Sequence, residues 1–365
     1  MVPATPPPGT TALSDLDAAW GVGPSGARLR AVRVAAERVR DRFAAGPRAV
    51  SVRTLPLANA PYPARFAFHG AARSPAPYVV FTHRCLVVQF LQAGELRTLL
   101  FNPTDVAGAR TAPFFARLAA RVPRRAQRIV APEFEPLTEQ LARLGIRPED
   151  VDYLAYDHMH TQDLRPVLGT ADGRVPARFP RATLVVPRVE WDDWDDLHPI
   201  QRDWFVRDGK AGVSNERVAL TTGDLALGDG VMLLRTPGHT VGNQTLFVNT
   251  DTGVWGVSEN GTCADSWSPM DSRIPGLRAR ARAGFDVVPN ANTLEHASDQ
   301  ITSMVLERTI VDRVKRAPAF VQMFPSSEIA PSALSPGLKP TILHRDLSHG
   351  TIASRVRPAR ARAAE

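Results

Sequence analysis

An apolar stretch, VDYLAY (residues 151–156), runs without a break into DHMHTQD, Asp157 to Asp163. No other feature of this chain narrows its folding as much. The short apolar run reads as a buried strand. The polar cluster that follows places two histidines, one residue apart, where the chain leaves the sheet. If the loop turns there, both imidazoles can aim at one point. Imidazole suits zinc, iron and related ions, and an added carboxylate favours a hard or borderline cation. Alone, H-x-H reads more readily as a surface loop that carries two histidines.

A second stretch, LRTPGHTVGN (Leu234–Asn243), removes part of that ambiguity. Pro237 and Gly238 force a tight turn after the strand-like VMLLRT, so His239 sits on a rigid corner. Rigid presentation is what a metal ligand needs. An ordinary Pro-Gly hairpin with an incidental histidine is the competing reading.

Around these motifs the pattern is layered. YVVFTHRCLVVQFL and LRTLLFNP flank the turn QAGE as a hairpin. Helices are expected in TAPFFARLAARV and in PLTEQLARLG, where Gly145 is a plausible C-cap. ATLVVP reads as a strand, EWDDWDDL opens a helix, and RVALTTGDLALGDGVMLLRTPGHTVGNQTLFVNTDTGVWGVS reads as four short strands. A helix in ASDQITSMVLERTIVDRVKR precedes PAFVQMFP and PTIL, the latter read as a strand. Strands with interspersed helices and hairpins favour α/β layers with mixed sheets. We divide the chain into residues 1–45, a proline-rich disordered start followed by a helix packed on the main domain; residues 46–350, the main domain; and residues 351–365, a basic flexible tail.

Composition excludes more than it assigns. With 365 residues, the chain can bury a substantial core. No apolar run approaches the ~20 residues that span a bilayer, and the N-terminus lacks the pattern of a secretory signal. A cytoplasmic protein with no membrane association is expected. The net charge of +7 and pI near 10.1 invite a nucleic-acid reading. Yet lysine occurs only at Lys210, Lys315 and Lys339, and arginine is scattered along the whole chain. The clusters Arg121–Arg128 and Arg355–Arg362 read as a solvated face and a tail, and no nucleic-acid partner is expected. Cys85 lies in an apolar run, and Cys263 reads as a buried structural thiol rather than a soft ligand.

Taken in order, LARLGIRPEDVDYLAYDHMH, FPRATLVVPRVEWDDW, TPGHT and the hairpin ending in LLFNPTD resemble the metallo-β-lactamase superfamily over about residues 78–350. LALGDGVMLLRTPGHTVGNQTLFV is similar to its lactonase-like branch. The resemblance implies an αββα sandwich of two mixed sheets flanked by helices, with a one- or two-metal site at the sheet edge. It also implies that a metal-activated water attacks an ester, lactone, thioester or phosphoester of a small-molecule substrate. His158, His160 and His239 would form the first metal position. The second departs from the family's H-x-H-x-D-H loop, because Gln162 and Asp163 stand where an aspartate and a histidine are expected. Asp163 and Glu259 are the candidate catalytic carboxylates and further metal ligands. The last ligand is sought in His344, at the end of PTIL, with His349 close behind. Zinc is the expected ion, one or two per chain, with iron or manganese as alternatives. A homodimer is compatible with the sequence. Two rival readings stand beside the hydrolase: iron-dependent redox chemistry on the same scaffold, motivated by the carboxylates Asp163 and Glu259, and a degenerate binding protein.

Overall fold

The computed structural model describes residues 6–123, 125, 127–128, 131–292 and 294–354. The expected tail falls largely outside them, as do residues 1–5. Fourteen strands are present among the described residues. In chain order they are β1 (Thr11–Leu13), β2 (Ser51–Pro63), β3 (Tyr78–Gln92), β4 (Glu95–Phe101), β5 (Tyr153–Ala155), β6 (Thr183–Pro187) and β7 (Val218–Thr221). There follow β8 (Asp224–Gly228), β9 (Val231–Arg235), β10 (Gln244–Thr250), β11 (Gly253–Ser258), β12 (Met323–Pro325), β13 (Ser327–Ala330) and β14 (Ser348–Gly350).

One sheet runs β1-β8-β9-β10-β11-β12, and the other runs β14-β2-β3-β4-β5-β6-β7 with β13 against β3. Both are mixed: β4 to β7 pair in parallel, as do β11 and β12, while the hairpins are antiparallel. Alternation along the strands separates three apolar layers. Leu86, Val88, Leu99 and Phe101 face Leu233, Leu246, Val248 and Val257 between the sheets. Val87, Leu100, Leu154 and Leu184 face outward onto Leu141, Leu164, Val167 and Trp191. On the opposite outer face, Met232, Leu234 and Phe247 pack against Val32, Ala35 and Val39 of the helix Ser25–Ala45, and against Met304 and Leu306 of the helix Ala297–Ile310. The architecture is therefore helix, sheet, sheet, helix, as expected. Among the described residues, no helix is long and apolar enough to cross a membrane.

Several local expectations change. Residues 11–13 are not disordered; they pair with β8 and extend its sheet by one strand. The helix Ser25–Ala45 forms part of one outer layer of the sandwich. The stretch from Val218 to Ser258 forms five strands, not four. Strand β2, thirteen residues long, was hidden by three prolines; it carries a register shift between Pro56 and Ala58, an irregularity that tolerates proline. The PTIL segment is not a strand, so the strand end expected to present His344 does not exist. The QAGE hairpin and the Leu137–Arg143 helix hold, with Ala93, Gly94 and Gly145 all at positive φ where the chain turns.

Candidate metal centre

Five connections converge on one edge of the sandwich: the segments after β4, β5, β9 and β11, and the junction of β12 with β13. The loop after β5 turns at Thr161, whose φ of 63° is a left-handed conformation that a β-branched residue rarely adopts. Its N–H is held by the carbonyl of Trp204 at 2.7 Å. The turn after β9 depends on Gly238, with φ of 137°, because a Cβ there would lie 2.2 Å from the Gln300 Cα. Buried Glu190, in the helix Arg188–Asp193, ties the two loops together. Its carboxylate accepts the Met159 N–H at 2.8 Å and the Gly242 N–H at 3.0 Å. Gly242 is required for that approach, since a Cβ would come within 2.4 Å of the Glu190 Cβ.

These constraints bring His158, His160 and His239 together, with their facing ligand atoms all within 4.8 Å of one another. Each ring is fixed by a hydrogen bond on its other side. His158 Nδ1 donates to Asp157 Oδ1 at 2.7 Å, His160 Nε2 to Gln201 Oε1 at 2.6 Å, and His239 Nδ1 to the Asn290 carbonyl at 3.2 Å. Gln201 presents its oxygen because its amide donates to Glu295 at 2.6 Å. Asp157 is in turn set by Asn102, which accepts its N–H and donates to Oδ2, and by the Ser326 hydroxyl.

With three N–H groups directed outward, three lone pairs are directed inward. His160 Nδ1 and His239 Nε2 face each other at 3.3 Å, acceptor against acceptor. Burial and the neighbouring histidines hold His160 well below its ordinary pKa and His239 down to about 3, so a proton is a poor bridge between them. The donor set, its neutrality and its outward carboxylate, amide and carbonyl partners fit a zinc-class cation. Burial pushes Asp157 up, but the neighbouring His158 ring and bonds from His158, Ser326 and Asn102 outweigh it, and its carboxyl lies below the usual value.

The remaining predicted ligands divide. Glu259, directly after β11, lines the same pocket, but its oxygens do not join the 4.8 Å cluster. Burial, then the Asp157 charge, push its carboxyl well above the usual range, against hydrogen bonds from Ser327. Asp163 is not at the centre: both oxygens are taken by the Arg165 guanidinium, at 2.8 and 2.6 Å. His344 is also elsewhere. It packs against Trp255 and Phe324, and its N–H bonds Glu328, which alternates to the face opposite pocket-lining Ser327. His349 is remote. It lies on β14 opposite Val52, ten residues along β2 from pocket-lining Tyr62, or roughly 30 Å of strand, and it bonds Asp251 at 2.7 Å. Cys263 is buried in the apolar layer beside β5 to β7, as read.

Sequence reading missed Asn102, Glu190, Gln201 and Asn290. Glu190 and Asn102 lay in quoted stretches, but a partner far away in sequence leaves no local pattern. Above the histidines the pocket opens into an apolar trough of about 1290 Å³ including its mouth. Its walls include Pro61, Phe81, Val106, Phe115, Leu118 and Val122.

Glu190→Ala strands two buried N–H groups, so a stability loss of about 2–5 kcal/mol is expected. Metal affinity should fall by about 10–100-fold, as for loss of an outer-shell partner; urea unfolding and metal competition would measure both. A second expectation concerns acid. Burial holds His83 at about 4 and His344 at about 3, against an ordinary value near 6.5. The unfolded chain therefore takes up protons that the folded chain refuses. Stability is fully present above about pH 6.5 and declines as pH falls toward 4 and then 3, by about 1.4 kcal/mol per pH unit per histidine. In chelator, Tm should drop from pH 7 to pH 4, and less steeply in His344→Phe; a flat profile would contradict this.

No family model matches the chain. The N-acyl homoserine lactonase AttM of Rhizobium radiobacter is 30% identical over 120 residues, covering 30% of this chain and 40% of that protein. The N-acyl homoserine lactonase AiiA of Bacillus thuringiensis subsp. kurstaki is 27% identical over 119 residues, 33% of this chain and 41% of its own. The chain thus spans about two fifths of the length of the curated relatives it matches. A solved structure of a probable metal-dependent hydrolase from Staphylococcus aureus aligns with 69% of this chain and 82% of its own, at 13% identity and a TM-score of 0.48. The two-sheet sandwich with helices on both outer faces, and the H-x-H and TPGHT loops meeting at one edge of it, are the arrangement that the resemblance to the metallo-β-lactamase superfamily implies.

Proposed function

We propose that the protein is a metal-dependent hydrolase of small molecules that join a carbonyl ester or lactone to an apolar chain. The observation that carries this reading is the placement of the three-histidine cluster at the floor of an apolar trough. Zinc is the ion we assign to His158, His160 and His239. A bound divalent cation there supplies Lewis acidity and lowers the pKa of water toward neutrality.

The chain's own residues do the rest. The trough takes the apolar part of the substrate and excludes water from it. Asn290 holds three groups at once: its carbonyl accepts from His239, its Oδ1 accepts the Tyr62 hydroxyl at 2.8 Å, and its amide faces Glu259 at 3.4 Å. It thereby fixes the pocket wall between His239, Tyr62 and Glu259. Glu259, buried and held between Ser327 and Asn290, can take a proton from the attacking water and return it to the leaving oxygen. The similarity to N-acyl homoserine lactonases makes acylated lactones the first substrates to try. Iron-based redox chemistry loses one of its two motivating carboxylates, because Asp163 is bound to Arg165 rather than to the centre.

A panel of acyl lactones, thioesters, aryl esters and phosphoesters, read by pH-stat with the zinc-loaded protein, tests the reading. Lactone or ester turnover is expected, rising with acyl length, and lost by about 10²-fold or more in His239→Ala. Turnover of phosphoesters alone, or equal rates in His239→Ala, would contradict it.

A further inference from the structure

The resemblance allows one or two ions, and the side of the pocket away from the three histidines decides between them. Gln162 is a neutral amide whose Nε2 already donates to the His160 carbonyl at 3.1 Å. Asp163 is turned to Arg165. The strand end that faces the pocket carries Ser327, not a histidine, because β12 runs into β13 through Pro325 and Ser326. Among the described residues, His158, His160 and His239 are the one cluster of histidine, cysteine and carboxylate ligands spaced to hold an ion. An amide, a hydroxyl and a single carboxylate supply neither the charge nor the number of donors that a second divalent cation requires.

What occupies that side is a chain of hydrogen bonds. Thr104 Oγ1 lies 2.9 Å from His83 Nε2, and His83 Nδ1 lies 2.9 Å from Ser327 Oγ. Ser327 bonds onward to Glu259 through both its hydroxyl and its backbone. Every member lines the pocket. The chain has two consistent proton arrangements. With Glu259 ionised, Ser327 donates to it, His83 Nδ1–H donates to Ser327, and Thr104 donates to Nε2. With Glu259 protonated, each donor and acceptor reverses, and His83 passes from one neutral tautomer to the other with no net charge.

We infer that this protein holds a single cation, and that the Glu259–Ser327–His83–Thr104 chain stands in place of a second one. It fixes the Glu259 carboxyl toward the pocket and keeps a hydrogen-bond partner for it whether protonated or ionised, while His83 itself stays neutral. This rests on the metallohydrolase reading above and sharpens it.

The test uses the full-length chain, stripped with chelator, incubated with excess zinc or cobalt and desalted. Metal is then counted by mass spectrometry of the native protein and by elemental analysis. One ion per chain is expected. Two tightly held ions would overturn this inference and leave the metallohydrolase reading intact; none would overturn that reading itself. Glu259→Gln provides an independent arm. It should keep the single cobalt ion and its visible spectrum, because Glu259 is not a ligand in this account. Loss of the ion, or roughly 100-fold weaker binding, would make it one and contradict the inference. His83→Gln should likewise retain the ion; its loss would show that the chain serves the metal position rather than Glu259.

Discussion

Two imidazole nitrogens that both present lone pairs at 3.3 Å repel each other, and the rest of this structure maintains that arrangement. Moving either ring's proton to its inward nitrogen would leave a lone pair facing the oxygen of Gln201 or Asn290, and turning the ring over would break that bond. The rings are therefore held in the tautomer that a cation needs, by groups that are themselves held. Asp157 is fixed by Asn102, Gln201 by Glu295, and Asn290 by Tyr62 and by the amide of Gln300. Such outer partners set ring direction and raise basicity at the inward nitrogen. A cation shared between the rings would relieve that repulsion.

The sandwich supplies the positions. His158 and His160 come from one sheet, His239 from the other, and the two must be registered to within a fraction of an ångström. Glu190 does this by accepting one N–H from each loop, and Gln244 by bonding across the gap: its N–H reaches the Asp157 carbonyl and its amide the Tyr156 carbonyl, both at 2.8 Å. Buried groups of this kind are costly if half satisfied and rigid when complete. The dense apolar layer between the sheets, with Leu86, Phe101, Leu233 and Leu246 all fully buried or nearly so, keeps the two halves from sliding.

The sequence made the layered fold and the three converging histidines legible because each rests on local chemistry. A buried strand that ends in H-x-H, and a Pro-Gly corner before a histidine, are patterns contained in about ten residues. The other candidate residues, Asp163 and His344, do not join them, for a different reason. Asp163 is a sound metal ligand by type, but Arg165 two residues on claims it. His344 was chosen for a strand end that the chain does not form, while the strand that reaches the pocket ends in serines. His83 carries no local sign of a role, and only the pairing of β3 with β13 places it opposite Ser327. Side chains whose partners lie hundreds of residues away, such as Asn102 with Ser326, carry no local sign at all.

Three imidazoles converging on one ion is the central claim, and X-ray absorption at the metal edge of the loaded protein tests it most directly. The expected first shell lies at about 2.0–2.1 Å and contains three nitrogen scatterers, with the outer-shell features of three imidazole rings. His158→Ala should reduce that imidazole count by one or abolish binding. A shell dominated by sulfur, or by carboxylate oxygens with at most one imidazole, would place the ion elsewhere and contradict the account.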